Sequence, residues 1–364
     1  MFKKIEIWIL YLAILLSILF AISFGILVRQ ELVGSIKVGW ASKTALFLSE
    51  IPVYLKTLSS DLTLEDRFPL LDGFNGTPNS YESYLLLSRY DGNLKEGLVE
   101  LIDLTNFRIL HTWNPDIDAF NNLIDKVDEF KYLNRDNNNY RSILRHPLLD
   151  KDGNLFFKRT SQFIKISSCS NLIFQNTHDL FHHSIERDYE GNIWVPSHMY
   201  PQSLPFDKVG RNIPNAANKS LFGDGGGYKD DAIVKLSPEG EILFEKSVSK
   251  IFIENGLEYL LFSLGERYFD DDPIHLNDIQ PVLGDGEFWK EGDLFLSLRH
   301  QSMILLYRPS TNKIIWKGAG PFFHQHDIDI IDDNRISIFN NNSKAFINGD
   351  IVDGLNNIII YDFN

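Results

Sequence analysis

The chain has 364 residues, of which 44% are hydrophobic and 23% are charged, so it can build a substantial core and is not generally disordered. Its net charge is −14, and Lys and Arg form no cluster along it. Because phosphate contacts demand concentrated positive charge, this composition argues against a nucleic-acid partner.

The first strong feature is an uncharged apolar segment from Ile7 to Val28, IWILYLAILLSILFAISFGILV. As a helix it would extend about 33 Å, slightly more than a hydrocarbon core of ~30 Å. A cleaved signal peptide is the alternative, but its apolar region is usually only ~7–15 residues long. No small-x-small cleavage site precedes Arg29 either. We therefore predict one uncleaved transmembrane helix over residues 7–28.

Positive charge lies on the short side of this segment. Lys3 and Lys4 precede it, whereas Arg29 is partly balanced by Glu31. The positive-inside rule then predicts that residues 1–6 are cytoplasmic and that the rest lies outside the cytoplasm, in the periplasm of a bacterium.

The remaining chain divides into a connector and a strand-rich domain. Residues 29–66 are predicted to be partly helical, with Pro52 dividing or ending the helix. Over residues 67–364, short apolar runs alternate with turn clusters, which is the pattern of β-strands. Cys169 is the only cysteine, so no intrachain disulfide can form and burial must supply the stability.

Two kinds of hairpin recur in this domain. In the first, a polar turn joins two strands; it occurs at 101–113, 233–244 and 304–316. In the second, an acidic or glycine-containing turn leads into a strand; it occurs at 150–156, 188–194, 291–295 and 332–339. An irregular β-sandwich is the alternative, but the alternation of two hairpin types favours a β-propeller. About 295 residues at ~50 per blade predict an all-β fold of six blades.

Two segments break the repeat. Residues 197–231 hold three prolines and the run GDGGGYKDD, and they are predicted to form a loop over one face. Residues 253–272 are predicted to form a short helix and an acidic loop, with the run 270–272 exposed to solvent.

Histidines occupy matching positions in the repeats. His183 precedes Gly191 by eight residues and His326 precedes Asn334 by the same eight, and His275 and His146 start similar strands. Equivalent strand starts converge at one end of a propeller channel, where Arg299 would join them from the following strand. A lone histidine near a strand end is usually structural, but three at matching positions favour a shared site.

Three histidines could hold a metal ion, but an arginine in the same site favours an anion. The sequence therefore predicts an oxyanion site for sulfate or phosphate, with one histidine available as a nucleophile and with no metal and no cofactor.

At these residues the chain resembles the bacterial PAPS-independent arylsulfotransferases. The blocks that carry the resemblance are FHHS (181–184), HLND (275–278), SLRHQ (297–301) and QHDID (325–329). The resemblance implies a six-bladed propeller that acts in or from the periplasm. It also implies a ping-pong transfer of a sulfuryl group from a phenolic sulfate ester to a phenolic or alcoholic acceptor, through a sulfohistidine.

The resemblance also implies roles for individual residues. His326 resembles the histidine that is sulfated. His183, His275 and Arg299 resemble the groups that hold the sulfuryl oxygens, and Asn277 matches the asparagine of the family's His-x-Asn pattern. In this reading Arg299 and protonated histidines stabilise the charge that develops on those oxygens.

Neighbouring residues leave alternatives open. His182 and His324 could replace His183 and His326 in the site and are candidate substrate-binding residues. His326 must be neutral to attack, so nearby positive charge is expected to lower its pKa. Asp327 or a backbone carbonyl would fix its tautomer.

Two other functions compete with sulfuryl transfer. One is a non-catalytic anchored propeller that binds an anionic ligand or an envelope partner. The other is a metal-dependent hydrolase, which the sequence disfavours because carboxylates are not grouped with the histidines.

Overall fold

The computed structural model of the protein describes residues 6–33, 39–62, 74, 76–124, 138–158, 162–177, 180–199, 202–204, 228–262, 272–346, 349–352 and 354–364. Several features of the sequence lie outside these residues. They are Lys3 and Lys4, most of the predicted loop 197–231, and the acidic loop up to residue 271.

Two helices open the described chain, α1 (Ile7–Val33) and α2 (Gly39–Leu62). Within α1, the stretch Ile7–Arg29 is long and apolar enough to cross a membrane. The second helix packs along α1. The prediction that Pro52 ends or divides a helix is wrong, since Pro52 lies inside α2. A proline removes only one N–H donor, so the helix can continue when its neighbouring turns are held.

Five antiparallel sheets of three or more strands follow in the described residues. The first contains β1 (Tyr84–Asp91), β2 (Glu96–Asp103) and β3 (Arg108–Trp113). The second contains β4 (Arg145–Leu149), β5 (Leu155–Lys158), β6 (Phe163–Ile166) and β7 (Leu172–Asn176). The third contains β8 (Leu180–Phe181), β9 (Glu186–Arg187), β10 (Ile193–His198), β11 (Asp231–Leu236) and β12 (Ile242–Ser247).

The last two sheets complete the fold. The fourth contains β13 (Leu276–Pro281), β14 (Leu294–Leu298), β15 (Met303–Arg308) and β16 (Lys313–Ala319). The fifth contains β17 (His326–Ile330), β18 (Arg335–Asn340) and β21 (Asn357–Asp362), and the hairpin β19 (Ser343–Phe346) and β20 (Gly349–Val352) is inserted in it. Short helices are α3 (Ile117–Asn121), α4 (Val248–Glu254) and α5 (Tyr259–Phe262).

The described sheets are the blades of a β-propeller, as predicted, but they number five, so the prediction of six blades is wrong. The predicted number came from dividing the length of the domain by the length of a blade, which assumes that every residue belongs to a blade. Long intervals of sequence separate the described strands instead, at 114–144, at 199–230 and at 248–275, and the last contains α4 and α5. Together they are longer than one blade of ~50 residues.

Both predicted hairpin types are confirmed by strand pairing: the pairs β2–β3, β11–β12 and β15–β16 represent the first type. In the second type, Asp150 and Asp188 each accept two backbone N–H groups of their own turn. The glycine three residues later has φ of 79° and 87° respectively, a left-handed conformation that glycine adopts without steric cost.

Apolar cores lie between successive blades. Each of four buried clusters joins side chains of one blade to those of the next, from the first blade to the fifth. Polar bonds also link the starts of the inner strands: Ser184 Oγ accepts from the Ile279 N–H at 3.2 Å, and Asp278 Oδ2 accepts from the Ile328 N–H at 2.8 Å. These bonds fix the third, fourth and fifth blades relative to one another at one end of the channel.

Candidate active site

Three of the predicted histidines meet at the ends of the inner strands. His183 lies between β8 and β9, His275 immediately precedes β13, and His326 begins β17. The ring centroid of His183 is 5.1 Å from that of His275 and 5.7 Å from that of His326. Three successive blades therefore supply one cluster of imidazoles.

An unusual backbone conformation marks these positions. His183, His275 and His146 have φ of 59°, 53° and 45°, in the left-handed region that side chains other than glycine rarely adopt. His326 itself is not in this region, but its neighbours His324 and Asp327 are, with φ of 49° and 41°. Such strain persists only where the surroundings hold it and is concentrated at functional sites.

The ring of His326 is held through one nitrogen. Its Nδ1 lies 3.2 Å from the carbonyl oxygen of His324 and 3.0 Å from the side-chain amide of Asn341. A backbone carbonyl, rather than Asp327, is thus the group placed to set the tautomer. When Nδ1–H donates to the His324 carbonyl, the lone pair lies on Nε2, and this is the tautomer in which Nε2 can attack. Donation from the Asn341 amide to Nδ1 would instead place the ring proton on Nε2.

The environment keeps His326 neutral. Burial is the main cause that lowers its pKa from 6.5 to about 4; the bond to the His324 carbonyl opposes this shift, and the positive charge of Arg299 adds to it. At neutral pH the imidazole therefore has a free lone pair, as a nucleophile requires.

Two cations act on the cluster. Arg299 follows β14 directly, and its backbone N–H donates to the His275 carbonyl at 3.1 Å. Lys158, buried at the end of β5, contributes to lowering the pKa of His183. Lys158 is not among the residues predicted from the sequence, although a lysine that ends an otherwise apolar strand was the available signal.

His182 and His183 form a pair, with their Nδ1 atoms 2.9 Å apart. Burial, followed by the charges of His182 and Lys158, holds the pKa of His183 well below 6.5. His183 is therefore neutral in the free protein, and the expectation of protonated histidines is wrong for this residue. A neutral ring can still donate one N–H to an anion.

The remaining predicted residues lie next to the cluster. Asn277 is buried, and its Nδ2 donates to the Gln325 carbonyl at 2.7 Å, which fixes the residue before His326. Gln325 is itself buried and donates to the Met303 carbonyl at 2.9 Å. The ring of His324 lies near that of His300 in a tilted arrangement, with 6.1 Å between centroids.

Carboxylates lie beside the histidines, although the sequence had suggested otherwise. Asp272 is buried rather than exposed to solvent, and its Oδ2 accepts from His275 Nδ1 at 2.8 Å and from Lys229 Nζ at 2.9 Å. Asp231 is buried next to His182. In three groups of described residues the potential metal-ligand atoms lie within 4.8 Å of one another: His182, His198 and Asp231; Asp272, His275 and His300; and Glu186, Asp278 and Asp327.

The third of these groups carries protons. Burial, followed by repulsion from neighbouring carboxylates, raises the pKa of Glu186 to about 9. Burial, followed by the charge of Asp327, raises the pKa of Asp278 to about 7. At neutral pH Glu186 is therefore protonated and Asp278 is only partly ionised, which reduces the negative charge in a channel that would receive an anion.

Comparison with known proteins identifies the family. Residues 147–364 match the sequence model of the arylsulfotransferase (ASST) family. The chain belongs to this family. The match begins in β4 and includes His183, His275, Arg299 and His326. Membership supports an arylsulfotransferase-like activity in general, with a small-molecule sulfate ester and an acceptor as substrates.

Solved structures give only distant similarities to this member of the arylsulfotransferase family. A Bacteroides caccae protein of unknown function has 9% identity and a TM-score of 0.37, over 73% of this chain and 69% of that one. The Neurospora crassa Pan2 WD40 domain has 9% identity and a TM-score of 0.41, over 81% and 66%. A streptogramin B lyase has 11% identity and a TM-score of 0.36, over 82% and 72%. No curated protein matches the chain.

Proposed function

We propose that this protein transfers a sulfuryl group from an aryl sulfate ester to a phenolic or alcoholic acceptor, with His326 as the nucleophile. One observation carries the proposal: the rings of His183, His275 and His326 form a single cluster in which His326 is neutral and next to the positive charge of Arg299. An imidazole lone pair beside donors for an anion is the arrangement that nucleophilic attack on a sulfate ester needs.

In the first half of the reaction, Nε2 of His326 attacks the sulfur atom and the bond from sulfur to the aryl oxygen breaks. The electron pair leaves with that oxygen, and the phenolate takes a proton from solvent. Arg299, His183 and His275 hold the peripheral sulfuryl oxygens while charge shifts onto them.

In the second half, the acceptor oxygen attacks the sulfur atom of the sulfohistidine. The N–S bond breaks, its electron pair returns to Nε2, and the acceptor's proton goes to solvent or to a neighbouring base. The histidine is then neutral again, so one site serves both half-reactions in turn.

A chromogenic aryl sulfate tests this proposal on the full chain in detergent. Donor alone should release phenol only up to the amount of enzyme and leave one SO₃ group on His326, and a phenol acceptor should then make release continuous. His326→Ala should lose both the adduct and the release.

His111→Gln is the matched control, because His111 lies in the first blade with its Nε2 2.7 Å from the Ser168 carbonyl, away from the cluster. Release of free sulfate without an adduct would contradict the proposal and favour a hydrolase. Binding of aryl sulfates by folded protein without any release would favour a non-catalytic anion-binding propeller.

We also propose that α1 anchors the chain with its N-terminus in the cytoplasm and the propeller outside it. The apolar stretch of α1 and the preceding Lys3 and Lys4 support this orientation. Cys169 is free and exposed, so it reports the side on which the propeller lies. A membrane-impermeant maleimide should label it in spheroplasts, and Cys169→Ser should remove the label. Labelling only after lysis would contradict this topology.

A further inference from the structure

The third blade holds a second cluster whose atoms have the spacing of metal ligands. His182 Nε2 lies 3.3 Å from Asp231 Oδ1, and His198 Nε2 lies 3.5 Å from the same oxygen. A tetrahedral ion with ligand bonds of ~2.0–2.2 Å has ligand atoms about 3.3–3.6 Å apart. Two of the three distances between ligand atoms therefore already match those around such an ion.

Against the effect of burial, the contacts of Asp231 Oδ1 with the two imidazoles lower the pKa of Asp231, but they are too long and poorly aligned for strong hydrogen bonds. Asp231 is fully buried, and among the described residues neither its Oδ1 nor His182 Nε2 has a partner aligned for a hydrogen bond. A buried carboxylate oxygen without such a partner is costly. A cation between the three atoms would satisfy both of these buried groups at once.

The ligands stand on a rigid frame. His198 and Asp231 are directly opposite each other on β10 and β11, and the His182 N–H donates to the Pro196 carbonyl of β10 at 2.9 Å. The other carboxylate oxygen of Asp231 accepts from the Leu276 N–H at 3.1 Å. Strand positions and an outer hydrogen bond of this kind orient the ligands of metal sites.

The neighbouring group of Asp272, His275 and His300 is less suited to an ion. Oδ2 of Asp272 already accepts from His275 and from the ammonium group of Lys229. A metal ion there would have to displace an existing cation and the hydrogen bond that orients His275.

From these observations we infer that His182, His198 and Asp231 bind one divalent transition-metal ion, Zn²⁺ by preference. Two neutral imidazoles and one carboxylate are a common donor set for zinc, and they leave a fourth position for water. All three residues belong to the third blade, so one blade supplies every protein ligand of the site.

The ion would also act on the sulfuryl site, a consequence that rests on the proposed function. Metal at Nε2 of His182 leaves the proton on its Nδ1, which donates to His183 Nδ1 at 2.9 Å. His183 then carries its own proton on Nε2, as an N–H donor for a sulfuryl oxygen. The ion would thus fix the tautomer of a residue that it does not touch.

Metal content of the full chain in detergent tests the site without any substrate. After loading with Zn²⁺ and removal of the excess, we expect about one equivalent per chain, as for a single site. His198→Gln and Asp231→Asn should each bring zinc to background, while the matched variant His300→Gln, in the neighbouring group, should keep it. Circular dichroism of each variant reports whether it is folded.

Co²⁺ adds a readout of geometry, because tetrahedral cobalt absorbs visible light strongly and loses this absorption when a ligand is removed. Absence of bound zinc in the folded wild-type chain, or equal zinc in His198→Gln and wild type, would overturn the inference. Zinc bound as expected in a protein without transfer activity would overturn only the proposed function. Transfer without bound zinc would overturn only the metal site.

Discussion

At the scale of single residues, Arg299 illustrates how one charge can serve both binding and nucleophilicity. In the proposed reaction its guanidinium attracts the sulfuryl oxygens, and its charge also helps to keep His326 unprotonated. Burial is the larger cause of the low pKa of His326, so the two effects can be separated by replacing the arginine.

We predict that kcat/KM for the donor rises with pH through about 4, the pKa of His326, because only the neutral ring can attack. Arg299→Gln removes a positive charge that lowers this pKa, so its acid limb should move to higher pH. Burial remains, so the limb should stay below pH 6.5. The shift of the acid limb is measured by comparing the pH profiles of kcat/KM for the two proteins, each normalised to its plateau.

Arg299→Lys is the control for this prediction, since it keeps the charge but changes the shape of the group. Its acid limb should remain near that of the wild type even if its plateau is lower. An acid limb that does not move in Arg299→Gln would mean that His326 is not the titrating nucleophile.

At the scale of elements, the site depends on how β17 is held against β13. Asn277 on β13 donates to the Gln325 carbonyl, and Gln325 reaches back to β15 through the Met303 carbonyl. These buried bonds position the backbone that carries His326 without touching the reacting atoms.

We therefore predict that Asn277→Ala lowers kcat by about tenfold or more, with a smaller change in donor KM, because a misplaced nucleophile loses rate rather than binding. It should also destabilise the fold by about 1 kcal/mol, since the buried Gln325 carbonyl loses its short bond and keeps only the 3.5 Å bond from Ser297 Oγ. Gln280→Ala, on the same strand but bonded to its own neighbour Pro281, is the control. Equal losses in both variants would contradict a positioning role for Asn277.

The local patterns of the sequence predicted the elements well because hairpins depend on near neighbours. The turns at Asp150 and Asp188 are each completed within five residues, and the histidine offsets follow the same repeat. The blade count failed because connection length has no local pattern. Asp231 was missed as a partner of His182 because 49 residues separate them in the sequence, and only the packing of β8 and β10 against β11 brings them together.

At the scale of the whole molecule, buried titratable groups make stability depend on pH from two sides. The pKa values of His146, His182 and His326 are lowered from 6.5 to about 4, chiefly by burial. Their contribution to stability is present above pH 6.5 and is lost as pH falls toward 4. The raised pKa values of Glu186 and Asp278 act in the opposite direction.

The alkaline side gives the clearest prediction. Glu186 has a pKa of about 9 in the folded chain and 4.5 as a free side chain, so the folded protein retains a proton that the unfolded chain has released. This stability is present below the unfolded pKa and is lost as pH rises through 9. Between about pH 7 and 9 the free energy of unfolding should fall by about 1.4 kcal/mol per pH unit on account of this one proton.

Glu186→Gln should remove that dependence, because the amide keeps the shape of a protonated carboxyl but does not titrate. Denaturant unfolding of the full chain in detergent at several pH values between 7 and 9 measures the slope directly. Glu239→Gln, at an exposed turn, is the matched control and should keep the wild-type slope. The same slope in Glu186→Gln and in wild type would show that the proton is held elsewhere. A flatter slope in Glu186→Gln would mean that Glu186 is held neutral in the folded chain at a cost in stability at alkaline pH. A neutral Glu186 reduces the repulsion of an anion that enters the channel.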